Sequence, residues 1–210
     1  MENILVAGAN GATGKKIVDI LNKSQNYNPI AMVRKEDQQA YFKDQNIQTV
    51  LGDLEADVTS VFTNPIDRVI FAAGSAGKNV IGVDQEGAKK LIDASKKANI
   101  KKFVMLSSMG ADKPEEATQL QDYLKAKHNA DEYLKNSGLS YSIVRPGTLT
   151  NDSQLEMIEL QQKLNKHGEI SRADVAQTLV QSLEDKTAAN ATFEIIKGDT
   201  SIQKALDQIS

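Results

Sequence analysis

Apolar strand-like runs and helix-like stretches alternate along this 210-residue chain, and that alternation restricts its fold more than any single residue does. The strand runs are Asn3–Ala7, Pro29–Val33, Ile47–Leu51, Asp67–Ala73, Lys102–Ser107 and Ser140–Val144; helical patterns cover Ala12–Asn22, Asp37–Phe42, Asp84–Ala98 and Pro114–Asn136. Strands joined through helices pair in parallel, and the helices cover both faces of the sheet. Val69-Ile70-Phe71-Ala72-Ala73 and Phe103-Val104-Met105-Leu106 lack polar alternation, which is how strands buried on both faces read. The expected fold is therefore α/β: a doubly wound parallel sheet in a three-layer α/β/α arrangement.

Punctuation supports the boundaries. Pro114 sits at a helix start with Glu115 and Glu116 in the first turn, and Ser137-Gly138 closes that helix. The helix from Asp84 begins acidic and ends in Lys96-Lys97, matching its macrodipole. Beyond Gly147 the pattern loosens: residues 151–166 read as a polar helix, Asp174–Leu183 as an amphipathic one, and Thr192–Ile196 as a last strand before a short terminal helix. No linker or repeat intervenes, so residues 1–210 are expected to form one domain, in which 148–210 contain a small substrate-side cap.

Composition narrows the partners. A chain of this length buries about 70% of its unfolded surface, enough for one core. Basic and acidic side chains number 25 and 28, for a net charge of −3 with no basic block, so no nucleic-acid partner is expected. No run of 18 apolar residues occurs and the N-terminus enters a strand at once, so the expectation is a cytoplasmic protein with no membrane partner. Cysteine is absent, which excludes disulfides and thiolate chemistry, and His128 and His167 stand apart, so no metal site is expected. The partner left is a small-molecule substrate; oligomeric state is not legible.

The first strand runs directly into Gly8-Ala9-Asn10-Gly11-Ala12-Thr13-Gly14 and then a helix. Gly8 permits the tight turn, Gly11 lets backbone approach a pyrophosphate, and Gly14 lets the helix pack close to the sheet, while the helix N-terminus offers unpaired N–H groups. A chain of this composition carries three glycines at that spacing by chance about 0.05 times, before the flanking strand and helix are required. Gly8, Asn10, Gly11, Ala12, Thr13 and Gly14 are therefore expected to hold a dinucleotide.

Three further strand ends belong to that expectation. Arg34-Lys35 closes the second strand, where a reader of a ribose 2′-hydroxyl would be Asp or Glu. A guanidinium there forks onto a 2′-phosphate and favours NADP over NAD; the alternative is a surface arginine at a strand end. Asp53, in Gly52-Asp53-Leu54, is placed to accept from an adenine amino group or to serve as a turn carboxylate. Ala72-Ala73-Gly74 lets backbone lie along a flat ligand, or simply closes a loop.

Chemistry is carried by Tyr123 and Lys127, at i and i+4 on one helix face. An ammonium beside a phenol favours phenolate and suits the tyrosine to acid–base work. The pair is a weak signal alone, since about half a match is expected by chance. Ser107-Ser108 ends the preceding strand at the same sheet edge and offers a hydroxyl to a substrate oxygen, or serves as a turn. Asp84 is a fourth polar candidate, or a plain helix-start carboxylate.

These residues together resemble the short-chain dehydrogenase/reductase superfamily, in its atypical NmrA-like and epimerase-like branch. The resemblance spans residues 1 to about 200 and rests on the glycine run, Arg34, Gly52-Asp53, Ala72-Ala73-Gly74, Val83-Asp84-x-x-Gly87, Leu106-Ser107-Ser108, Tyr123-x-x-x-Lys127, Ile143-Val-Arg-Pro146-Gly147 and Ser171-Arg-Ala-Asp174-Val-Ala176. It implies a Rossmann fold in which Ser108 polarises a carbonyl, Tyr123 exchanges the proton, Lys127 binds the nicotinamide ribose, and Pro146, Gly147 and Thr148 line the nicotinamide end. The superfamily's usual asparagine is matched here by Asp84. The implied activity is NADP(H)-dependent hydride transfer to or from a small carbonyl or quinone-like substrate; the alternatives are a non-catalytic NADP-binding regulator and an epimerase or dehydratase with tightly held cofactor.

Overall fold

The computed structural model describes residues 1–210. Its nine-stranded sheet has the order β11-β8-β10-β6-β5-β4-β1-β2-β3. The strands are β1 (Glu2–Ala7), β2 (Tyr27–Val33), β3 (Gln48–Leu51), β4 (Arg68–Phe71), β5 (Lys102–Leu106), β6 (Tyr141–Pro146), β8 (Met157–Gln161), β10 (Ala191–Lys197) and β11 (Thr200–Ser201); β7 (Thr148–Thr150) and β9 (Glu169–Ser171) form a separate two-stranded ribbon. Every pairing from β3 across to β10 is parallel, and β8 runs antiparallel to both of its neighbours. Chain direction across the sheet reverses between β1 and β4, and a crevice opens beyond the carboxyl ends of strands at such a point.

The helices are α1 (Ala12–Asn22), α2 (Gln39–Lys43), α3 (Ala88–Lys97), α4 (Gln121–Lys135), α5 (Arg172–Gln181) and α6 (Ile202–Asp207). Alternation along the strands divides the core in two. Ile4 and Val6 of β1, Ile70 of β4 and Val104 of β5 meet Ile17, Val18 and Leu21 of α1 and Val175 and Leu179 of α5. Leu5 and Ala7, Val69 and Phe71, and Phe103 and Met105 face the other way, onto Leu91 and Ile92 of α3 and Ala130 and Leu134 of α4. No helix is long and apolar enough to cross a membrane.

The carboxyl half departs from its sequence pattern. The polar helix expected over 151–166 is absent: Ile158 and Leu160 are buried while Glu159 between them is less so, a period of two that forms β8 against β10. Residues 148–210, expected to contain a cap, supply β10, β8 and β11 to the main sheet and pack α5 on α1. The helix expected over Pro114–Asn136 is broken, with a 3₁₀ turn at Pro114–Glu116, extended backbone at Ala117, and Leu120 left-handed (φ 58°) immediately before α4.

At the amino edge of the sheet, buried cations hold the chain that follows α5. Arg68 donates to the Leu183 carbonyl at 2.6 Å and pairs with Glu2 at 2.6 Å; Lys102 Nζ donates to the carbonyls of Glu184 and Thr187 at 2.7 and 2.6 Å. The Arg68 hydrogen bond, aided by Lys101, holds the Glu2 carboxyl at about 2, below the usual range. Burial, together with the nearby Arg68, pushes the Lys102 ammonium down to about 8. The anchored segment follows α5, which packs against α1.

Candidate active site

The turn from β1 into α1 is built from close backbone approaches. Gly8 has φ +84°, and a Cβ there would lie 2.6 Å from the Ala73 backbone nitrogen; a Cβ on Gly14 would overlap the Gly8 carbonyl oxygen. Gly11 is the N-cap and no side chain caps the helix. The N–H groups of Ala12, Thr13 and Gly14 have no acceptor, a row of donors with partial positive charge. These residues fit a dinucleotide pyrophosphate: side chains are missing where phosphate oxygens would lie and donors are free where they would bond.

A cleft of about 530 Å³ opens there. Its wall includes Gly8, Asn10 and Gly11 from the turn, Arg34 after β2, Asp53 and Leu54 after β3, and Ala72, Ala73 and Gly74 after β4. Arg34 is exposed and pairs with no carboxylate, its backbone N–H held at 3.0 Å by the Gln38 side chain, which also lines the cleft. Asp53 is half-buried and accepts from the Glu55 N–H at 2.9 Å, so it makes the turn contact while also facing the cleft. Glu55 and Asn79, both on the wall, hydrogen-bond to each other.

The polar candidates lie further along the carboxyl edge, outside that cleft. Tyr123 is half-buried in the first turn of α4; Lys127, one turn on, is 3% exposed, with Nζ 5.6 Å from the Tyr123 ring centroid. The ammonium lies 3.4 Å from Asp84 Oδ1 and 3.4 Å from the Leu106 carbonyl oxygen. Asp84 is fully buried and accepts the Ser75 N–H at 3.0 Å. Its Oδ1 has no hydrogen bond of good geometry, so the contact with Lys127 is an ion pair only. Two long contacts leave the ammonium donor capacity for a further acceptor.

Asp84 does not start a helix, as its sequence position suggested. It is the fifth residue of a π-helical segment, Val80–Gly87, that continues into α3. The wider turn is a feature frequent at functional sites, and here it brings the Asp84 carboxylate to Lys127 of α4.

The adjacent serines divide. Ser107 is buried and donates to Asp131 Oδ2 at 2.8 Å, whereas Ser108 is half-buried with its hydroxyl on the Met109 carbonyl at 3.2 Å. No hydrogen bond joins Ser108 to Tyr123. The Met109 N–H donates to the Pro146 carbonyl at 3.0 Å, bringing the segment after β5 beside Pro146, Gly147 and Thr148. Gly147 has its own packing reason, since a Cβ there would overlap the Gly168 carbonyl oxygen.

Sequence reasoning missed a buried network behind these groups. Asp131 is fully buried, accepts hydrogen bonds from Arg145 Nε at 2.9 Å and from Ser107 Oγ at 2.8 Å, and forms an ion pair with Arg145 Nη2 at 2.8 Å. Burial pushes its carboxyl up, opposed chiefly by the Arg145 charge. The available signal was periodicity: Lys127, Ala130, Asp131 and Leu134 follow the i, i+3, i+4, i+7 spacing of an apolar stripe, yet two are charged. A second clamp uses the motif after β9. Asp174, 2% exposed, accepts from the N–H groups of Leu155 and Glu156 at 3.1 and 2.7 Å and from Ser171 Oγ at 2.7 Å, fixing the loop after β7.

Comparison with known proteins agrees with this architecture. The chain is 37% identical over 213 residues to the Bacillus subtilis protein named "Uncharacterized sugar epimerase YhfK", spanning 98% of this chain and 99% of that one. It is 30% identical over 152 residues to the sanguinarine reductase of Eschscholzia californica, spanning 69% of this chain and 55% of that enzyme. A solved Bacillus halodurans structure, provisionally named an NAD-dependent epimerase/dehydratase, superposes with a TM-score of 0.94 at 34% identity over 99% of this chain and 100% of its own. The NAD(P)H-binding family profile matches residues 8–186. The chain belongs to that NAD(P)H-binding family, in the epimerase- and reductase-like atypical branch of the short-chain dehydrogenase/reductases.

Proposed function

We propose that this protein is an NADP(H)-dependent oxidoreductase acting on a small carbonyl or quinone-like substrate. The observation that carries the reading is the buried Lys127 ammonium, paired with Asp84 and lying beneath the Tyr123 ring at the carboxyl edge of the sheet. Unlike Arg68 and Lys102, which are committed to short bonds with backbone carbonyls, this buried cation makes only two long contacts and lies beside a phenol, which suits it to serve an acid–base group or a ligand hydroxyl.

In this reading the Gly8–Gly14 turn and the free N–H groups of α1 hold the pyrophosphate, Arg34 takes the 2′-phosphate, Asp53 meets the adenine amino group and Ala72–Gly74 lie along the ligand. Lys127 takes a ribose hydroxyl, and Pro146, Gly147 and Thr148 face the nicotinamide. When bound, the reduced nicotinamide supplies a hydride to the carbonyl carbon. Ser108 Oγ donates a hydrogen bond to the carbonyl oxygen, and the Tyr123 hydroxyl delivers the proton that completes the alcohol. Lys127 stabilises the resulting phenolate until solvent returns a proton, and Asp84 keeps the ammonium in place. The name of the plant relative, a reductase, supports net reduction.

That of the Bacillus relative, a sugar epimerase, favours a second reading in which the hydride returns to the same substrate and no net cofactor is consumed. The test is NADPH oxidation over a panel of aldehydes and quinones, with wild type and Tyr123→Phe. Turnover lost in the variant with NADPH affinity retained is expected; unchanged turnover overturns the assignment. Inversion of a secondary-alcohol centre in a hydroxy-sugar panel run with NADP⁺, with no net change in cofactor, selects the epimerase reading.

A further inference from the structure

A second cleft, of about 580 Å³, lies beyond α4 and has so far been given no role. Its wall is formed by Met109 and Gly110 after β5, Gln119 before α4, Leu124 on α4, and Asn165 and His167 between β8 and β9, with Glu194 of β10 contributing from the sheet. Met109 and Leu124 on its wall are the chain neighbours of Ser108 and Tyr123, whose own side chains do not line it, so the cleft starts one residue from each group expected to meet the reacting carbonyl. Its volume falls in the range of small-molecule sites.

The charges on this wall are mostly answered. Lys163 pairs with Asp112, Lys113 with Glu116 and Lys166 with Glu159. Glu194 is the exception: it is 3% exposed and has no cation partner. One carboxylate oxygen accepts the Leu164 N–H at 2.8 Å, and the other has no protein donor. Its register neighbour on β6 is Arg145, whose Nε and Nη2 turn to Asp131 and which makes no ion pair with Glu194. Glu194 is buried, but its second carboxylate oxygen is open to the cleft, where a ligand that brings a positive charge would meet it.

We propose that this cleft is the substrate chamber and that Glu194 selects substrates bearing a cationic nitrogen. The proposal rests on the assignment of Ser108 and Tyr123 to the reacting end. The test uses two aldehydes of similar shape, 3-formyl-N-methylpyridinium and benzaldehyde, with NADPH. Wild type is expected to show the lower KM for the cation. Glu194→Gln retains an acceptor for the Leu164 N–H and is expected to raise KM for the cation about tenfold, an ion-pair contribution of ~1.4 kcal/mol, with kcat and the benzaldehyde KM unchanged. An unchanged KM ratio overturns the role of Glu194. A second arm is independent of turnover: N-methylpyridinium is titrated into ¹⁵N-labelled protein saturated with NADP⁺. Shifts at the amides of Met109, Gly110, Gln119 and Asn165 that vanish in Thr118→Trp, which fills the mouth, support the cation site, and shifts confined elsewhere overturn it. Cavity shifts without turnover of either aldehyde support the cation site while overturning the reductase reading.

Discussion

Replacing Lys127 with Met removes the cation while keeping most of the side-chain volume. The ammonium is 3% exposed and 3.4 Å from Asp84, itself fully buried. Without it Asp84 retains only the Ser75 N–H as a donor. Stranding one member of a buried ion pair costs about 3–5 kcal/mol, and the long contact with no hydrogen-bond geometry places this case at the lower end, about 3 kcal/mol. For a domain of this size that lowers Tm by about 6–12 °C. Removing both charges in Lys127→Met/Asp84→Asn leaves no buried charge, keeps an acceptor for the Ser75 N–H and should recover most of the loss, so the two single changes should be strongly non-additive. Urea unfolding of the four proteins at pH 7 measures this. A Lys127→Met loss below 1 kcal/mol, or additivity within 0.5 kcal/mol, would refute the reasoning that the two groups form a mutually dependent buried pair.

Other perturbations probe separate parts of the account. Arg34→Asp should shift the NADP to NAD affinity ratio by about ten- to a hundredfold toward NAD, the worth of a charge-assisted contact, read by titration calorimetry; an unmoved ratio removes Arg34 from the 2′ position. Gly14→Ala pushes a methyl into the Gly8 carbonyl and should abolish measurable cofactor binding while circular dichroism retains the fold; wild-type affinity would show that the turn can yield. The Glu2 carboxyl titrates near 2 when folded and near 4.5 when free, so its stabilisation is complete above 4.5 and is lost as pH falls toward 2. Glu2→Gln should lose about 1 kcal/mol at pH 7, allowing for its partial exposure, and this difference should shrink at pH 2.5; an equal loss at both values would exclude linkage through this carboxyl.

The local parts of the fold were legible because local chemistry sets them. Ala12–Asn22 follows from a glycine turn and the buried spacing of Ile17, Val18 and Leu21, and the helix has those bounds. β8 was not legible: Met157–Gln161 is short, half polar and paired through a distant antiparallel contact with β10, which no local propensity records. The break before α4 was hidden by continuous helix-forming residues, although Leu120 adopts a left-handed conformation and exposes 71% of its surface.

The site divided along the same line. Its glycine cradle and the Tyr123–Lys127 spacing are short-range patterns, and those two side chains lie together on α4. The Ser107–Asp131–Arg145 network joins two strands and a helix, and Asp131 gave only the weaker sign of a charge on an apolar stripe. Asp84 was read as a helix start because its role depends on a π-helical segment, which leaves no clear trace in residue type.

The most direct test of the central claim is a crystal structure of the protein soaked with NADP⁺. The account predicts the pyrophosphate on the free N–H groups of Ala12–Gly14, the 2′-phosphate on Arg34, and a nicotinamide ribose hydroxyl on Lys127 Nζ with the ring facing Tyr123. A dinucleotide bound with its nicotinamide away from Lys127 and Tyr123, or a 2′-phosphate that leaves Arg34 unengaged, would contradict it.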